Sequence, residues 1–233
     1  MEAFFGGQNL TKPSHLNILE YFPVMQRKIA ASFTFLLFTS VMFAVGCSAQ
    51  QTEDQALESL RQMTRAGKLP PEGVVADIER RFAGKRTGAL AKLLRARIRF
   101  ESKDFAGAAD VLNSDVFSKS TKLADYALWL RGRSLQQIGD HQGAMSAFAR
   151  VWSEYPNSVR ARDSKLLWAD SAITPGSAAK VPTELAKLVE QQYPGAILAT
   201  AKAYEAAGDQ KNAVTFYRRT YFYGAGSPES KEA

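Results

Sequence analysis

The sequence predicts an all-α fold, a right-handed α-solenoid of helix hairpins, and three observations predict it. From Gln50 onward apolar residues recur at helical spacing, and no run alternates with a period of two. Residues 125–158, DYALWLRGRSLQQIGDHQGAMSAFARVWSEYPNS, span 34 positions, a period at which helix-turn-helix units stack. Small residues stand there where two antiparallel helices must cross closely (Gly132, Ala144), with large apolar ones around them (Leu128, Leu135, Phe148). The third observation is a recurring turn: Gly139-Asp140 in this unit, Lys103-Asp104 before it and Gly208-Asp209 after it. Each unit of such a stack buries its apolar face against its neighbours, so length sets the number of units and not the size of one core.

Each helix has a local reason. A first helix is expected over 53–66, ending at Gly67, a residue type that suits a helix C-cap. Pro70-Pro71 opens a second over 72–83, closed by Gly84, with Val74, Val75, Ile78 and Phe82 as its apolar face. These two are expected to form a degenerate first pair. Thr87 is the expected N-cap of a helix running through Phe100, and the helix after Asp104 carries Ala108 and Leu112. In the central unit Gly139-Asp140 makes the turn, and the second helix stops at Pro156, which lacks an N–H and disfavours a helical residue before it. Asn157-Ser158 is expected to cap the next helix, with Leu166, Leu167 and Ile173 apolar, through about Ala172. Residues 174–177 form a loop, and a short helix follows over 182–192. The last pair covers 195–223. Pairs therefore begin near Thr87, Thr121, Ser158 and Gly195, at intervals of 34, 37 and 37.

The central unit resembles the tetratricopeptide repeat (TPR). In that family's pattern the small residues fall on Gly132 and Ala144, the ring on Phe148, the turn glycine on Gly139 and the terminator on Pro156, with Leu135 among the apolar packing positions. In the last pair Ala201, Tyr204, Gly208, Ala213 and Tyr217 fall on the small, ring, turn, small and ring positions. Two residues depart from the pattern: Arg131 replaces a large apolar residue and Val151 a small one, which predicts looser packing there.

The N-terminal part reads as an address. Residues 29–45 form an uncharged apolar run directly preceded by Arg27-Lys28 and followed by small residues, the layout of a signal peptide over 25–46 that starts at Met25. Residues 1–24 then read as an extension ahead of a misplaced start. Ala44-Val45-Gly46-Cys47 resembles the lipobox of bacterial lipoproteins, although leucine is commoner where Ala44 stands. The resemblance implies that Cys47 becomes the lipidated first residue, with Ser48 after it favouring the outer membrane. A cleaved soluble protein and an uncleaved anchor, for which the run is barely long enough, stay open. The remaining domain expectations are a linker and degenerate pair over 47–86, repeats over 87–226, and the start of a truncated further repeat over 227–233, where Ser227-Pro228-Glu229 reads as a helix start.

The run from Phe148 through Val151 to Tyr155-Pro156-Asn157-Ser158 resembles envelope members of the superfamily. These are β-barrel assembly lipoproteins, Tol-Pal-associated coordinators and the superhelical, non-catalytic domain of soluble lytic murein transglycosylases. The ending of the last pair, 217–223, looks most like the transglycosylase group. That resemblance implies an exported repeat scaffold on whose concave face envelope proteins or peptidoglycan bind, held to the membrane by a lipid anchor. The alternative it leaves open is the N-terminal part of a transglycosylase with its catalytic domain beyond Ala233.

Chemistry is sparse. Past the signal region the only histidine is His141, one residue after a turn aspartate, and no cysteine follows Cys47, so neither a nucleophilic triad nor a metal-ligand cluster is expected. Glu101-Ser102 matches two letters of a transglycosylase motif, but a repeat turn follows it and a general acid needs a water-poor cleft. No catalytic residue, metal, cofactor or small-molecule substrate is therefore expected. The net charge of +7 favours anionic partners, although a basic solvated surface gives the same number. Lys92, Arg95, Arg99 and Lys103 line one helix face as a candidate positive stripe. Nucleic acid is not expected as partner, because the rings fall at core positions and export removes cytoplasmic nucleic acids.

Overall fold

The computed structural model describes residues 51–65, 67–174 and 176–233. The signal-peptide, Arg27, Lys28 and Cys47 expectations lie outside them. The compact unit of residues 52–233 is all helix: no strand occurs among the described residues. Its helices are α1 (Glu53–Arg65), α2 (Glu72–Arg81), α3 (Arg86–Glu101), α4 (Phe105–Leu112), α5 (Val116–Ser120), α6 (Ala124–Gln137) and α7 (His141–Glu154). After them come α8 (Ala161–Ile173), a 3₁₀ turn (Ala178–Lys180), α9 (Val181–Glu190), α10 (Pro194–Ala206), α11 (Gln210–Tyr223) and α12 (Pro228–Glu232). No helix among the described residues is long and apolar enough to cross a membrane.

One turn chemistry builds three of the hairpins. Lys103, Gly139 and Gly208 have φ of +66°, +79° and +79°, and the N–H of each following aspartate reaches back five residues, to the carbonyls of Arg99, Leu135 and Tyr204 at 2.8–2.9 Å. This closes the first helix in a Schellman motif. The same aspartate then caps the second helix: Asp104, Asp140 and Asp209 accept from the N–H groups of Gly107, Gly143 and Asn212 at 3.0, 2.8 and 3.1 Å. Caps of this kind typically contribute about 1 kcal/mol each. The last backbone hydrogen bond of the ended helix and the side-chain cap of the new one thus depend on the same two-residue turn.

The core runs along the stack as clusters shared by neighbouring helices, which is how a solenoid stabilises units that could not fold singly. Ala56 and Leu60 of α1 meet Val75, Ile78, Phe82, Ala91 and Leu94. Phe117 of α5 is buried among Leu93, Leu112, Ala127 and Leu130. Phe148, Trp168, Val181, Leu185 and Ala199 belong to the third cluster, which carries the packing to α11 through the half-buried Phe216. Successive units are also bonded at one-repeat separations. Ser158 Oγ donates to Asp125 Oδ2 (2.6 Å), Trp129 Nε1 to Asp163 Oδ2 (2.6 Å) and Gln136 Nε2 to Ser171 Oγ (3.3 Å).

Several local expectations are corrected. Val74 is exposed and belongs to no core face, because the α2 stripe is Val75, Ile78 and Phe82. α2 packs chiefly on α3, which α1 also contacts, and residues of all three share one buried cluster. Thr87 is the second residue of α3 and fully buried; the N-cap is Lys85, without a side-chain bond. Ser158 caps no helix directly: it accepts from Arg160 N–H in a turn while donating to Asp125, and α8 starts three residues later. The helix after Asp104 is short, because the chain leaves α4 at Leu112 and turns through residues 113–115 into α5. Ser227, by contrast, accepts from Ser230 N–H at 3.3 Å and opens α12, which packs on α10 and α11.

Candidate functional site

The residues of the repeat pattern come together as structure, not as a site. Gly132 lies against the Phe148 ring, Ala144 and Phe148 are fully buried, Leu135 packs in the same cluster, and Pro156 follows the end of α7. In the last pair Ala201 and Ala213 are buried, Gly208 makes its turn, and the Tyr204 ring packs on Phe216 at 5.3 Å. Tyr217 is only partly buried; its hydroxyl donates to Glu205 Oε2 (2.5 Å), and burial together with that bond pushes its pKa up to about 12. Val151, one of the two departures from the pattern, is fully buried.

The surface chemistry lies on the first helices. On α6, Tyr126, Trp129 and Arg133 recur at i, i+3 and i+7 and therefore share one face. Tyr126 and Trp129 stack at 5.9 Å, and the Arg133 guanidinium lies 5.3 Å from the Trp129 ring and 6.0 Å from Phe100 of α3. From the start of α8, Arg160 lies 4.7 Å over Tyr126, steered by Asp125 at 3.4 Å. Asp163 accepts the indole N–H and fixes that ring. The row continues in both directions. Tyr126 borders a hollow of about 320 Å³ with Leu57, Leu90, Arg97 and Leu123. Asp163 borders another of about 440 Å³ with Ser158, Val159, Arg162 and Tyr193, where Arg162 lies 5.0 Å over the tyrosine ring.

Rings give apolar area at little entropic cost, and guanidinium groups give charge and forked donors. Alternating them along several helices suits an extended ligand with mixed side chains. Sequence reasoning missed this row because it placed the rings at core positions; Tyr126, Trp129 and Tyr193 are half-buried at the surface instead. The signal was available in the i, i+3, i+7 spacing, which is offset from the buried stripe that includes Leu128 and Leu135.

Two members of the expected positive stripe, Arg95 and Arg99, are already paired. Arg95 binds Glu79 through Nε and Nη2 at 2.7 and 3.1 Å, and Arg99 Nε lies 2.6 Å from Glu72. These pairs join α2 to α3. His141 begins α7 with Nδ1 shielded and unbonded. Glu101 is exposed at the end of α3, 3.9 Å from Arg97. Among the described residues no three of His, Cys, Asp and Glu are grouped to hold a metal ion.

Residues 126–158 match the family model described as tetratricopeptide repeat. No curated protein matches the chain by sequence. Among solved structures, the chain is similar to YrrB, described as a TPR protein with an unusual peptide-binding site, with a TM-score of 0.62 at 10% identity over 84% of this chain and 96% of that one. It is also similar to a Podospora anserina protein with nearly identical TPR-like repeats, with a TM-score of 0.55 at 14% identity over 77% and 98%. The fold is thus that of TPR solenoids.

Proposed function

We propose that this chain is a non-catalytic interaction scaffold whose first-helix face holds an extended segment of a partner protein. The observation that carries the reading is the row of Phe100, Tyr126, Trp129, Arg133 and Arg160, drawn from different units yet continuous on one surface. The match of residues 126–158 to a repeat family and the fold likeness to a peptide-binding TPR protein support it. Peptides selected on the protein from a displayed library, with affinities measured by calorimetry, test it. Arg133→Glu and Trp129→Ala are each expected to weaken binding about 10- to 30-fold, the loss typical of a central aromatic or arginine contact. Unchanged affinity in both variants, with melting temperatures near wild type for Arg133→Glu, sinks the proposal.

The partners in this reading belong to a bacterial cell envelope: envelope proteins, or peptidoglycan. The chain reaches them as an exported protein held on the periplasmic side of the outer membrane through lipidated Cys47. Arg27-Lys28, the apolar run 29–45 and Gly46-Cys47 support this. Intact mass and membrane partition of the expressed protein test it: Cys47→Ala should release the chain from the membrane fraction. A variant that partitions as the wild type does ends the lipid-anchor reading.

A further inference from the structure

Arg131 stands on α6 two residues from both Trp129 and Arg133, about 200° around the helix from each, and so points away from the aromatic row. The break between α4 and α5 makes room for it. A cavity of about 250 Å³ opens there, bordered by Asn113, Ser114, Ser118, Arg131, Arg150 and Tyr155. The charges along this cavity are unequally matched. Arg150 Nε is held by Glu154 at 2.6 Å, and Asp115, which also borders the space, is paired with Lys119. Arg131 Nε is shielded from solvent and has no hydrogen-bond partner. Burial lowers the guanidinium's pKa from its ordinary range, the like charge of Arg150 adds to this, and Asp140 acts in the other direction. A partly desolvated cation beside a second cation is stabilised when an anion joins them. Planar guanidinium forks match oxyanions, and the Asn113 amide and the Ser114 and Tyr155 hydroxyls border the same space as neutral donors.

We propose that this cavity is an oxyanion site, in which Arg131, with Arg150 beside it, binds a carboxylate or phosphate group. The site explains why a cation replaces the large apolar residue of the repeat pattern. It is independent of the aromatic row, so its failure and that of the scaffold reading are separable. Thermal melts of the full chain with inorganic phosphate, with acetate, and with chloride at matched ionic strength test it. Phosphate or acetate at about ten times Kd should raise Tm by about 3–6 °C above the chloride control. A rise with phosphate alone assigns the phosphate source, and one with acetate alone the carboxylate. Arg131→Leu and the closer-sized Arg131→Met should melt no lower than wild type without anion and lose the shift. Absence of any anion-specific shift in the wild type overturns the proposal, as does a shift retained in both variants.

Discussion

Gly132→Leu is expected to destabilise the protein by about 3 kcal/mol, at the upper end for overpacked cores, while Gln137→Leu on the same helix stays within about 0.5 kcal/mol. A Cβ on Gly132 would already stand 2.5 Å from Phe148 Cε1, inside van der Waals contact before the rest of a leucine is added. The ring has nowhere to go. Phe148 has no exposed surface, and it shares its buried cluster with Ala144, Ala147 and Trp168. Relief therefore needs α6 and α7 to separate, which opens the central cluster on both sides. Gln137 is at the exposed end of α6, where a leucine meets water and no neighbouring helix. For a unit of this size the loss corresponds to a fall in Tm of about 6–12 °C. Equal melting temperatures for the two variants would falsify the crossing geometry assigned to the central unit.

The second large effect is expected at Gly88, in the first turn of α3. A Cβ there would lie 2.1 Å from the Phe82 carbonyl oxygen and 2.7 Å from its carbon. These are backbone atoms in the turn that ends α2, and the oxygen is already engaged by Lys85 N–H at 3.0 Å. No rotamer change can relieve the clash. Gly88→Ala is therefore expected to cost about 3 kcal/mol or more. The same substitution at Gly73 in α2, where nothing lies within 4 Å, should instead stabilise by about 0.4–1 kcal/mol, because alanine restricts the unfolded chain. Urea titrations followed by circular dichroism measure both signs. A Gly88→Ala midpoint equal to wild type rules out the close approach of α3 to the end of α2.

The two glycines mark how far the sequence can be read. Gly132 is legible because it sits at a fixed offset from Ala144, Phe148 and the Gly139-Asp140 turn, within a period that names the contact. Gly88 has no such frame: its neighbour is a carbonyl six residues back, placed there by how α2 meets α3. Charges behave similarly. Periodicity aligns Arg95 and Arg99 on one face, yet only the position of α2 shows that Glu72 and Glu79 face them. Ser158 has the chemistry of a helix cap, but Asp125, one unit back, takes its hydroxyl and the helix starts later.

The sequence by itself determined the helical class, the hairpin period and the turns, because these rest on local chemistry: a left-handed residue, an aspartate cap, and a 3.6-residue apolar stripe. Tertiary structure decided which half-buried rings meet across units, which arginines are already paired, and that Arg131 borders a cavity opened by the broken helix between α4 and α5. Those outcomes depend on side chains separated by a whole repeat or brought together by helix packing. Spacing within one helix carries no information about what the next helix presents.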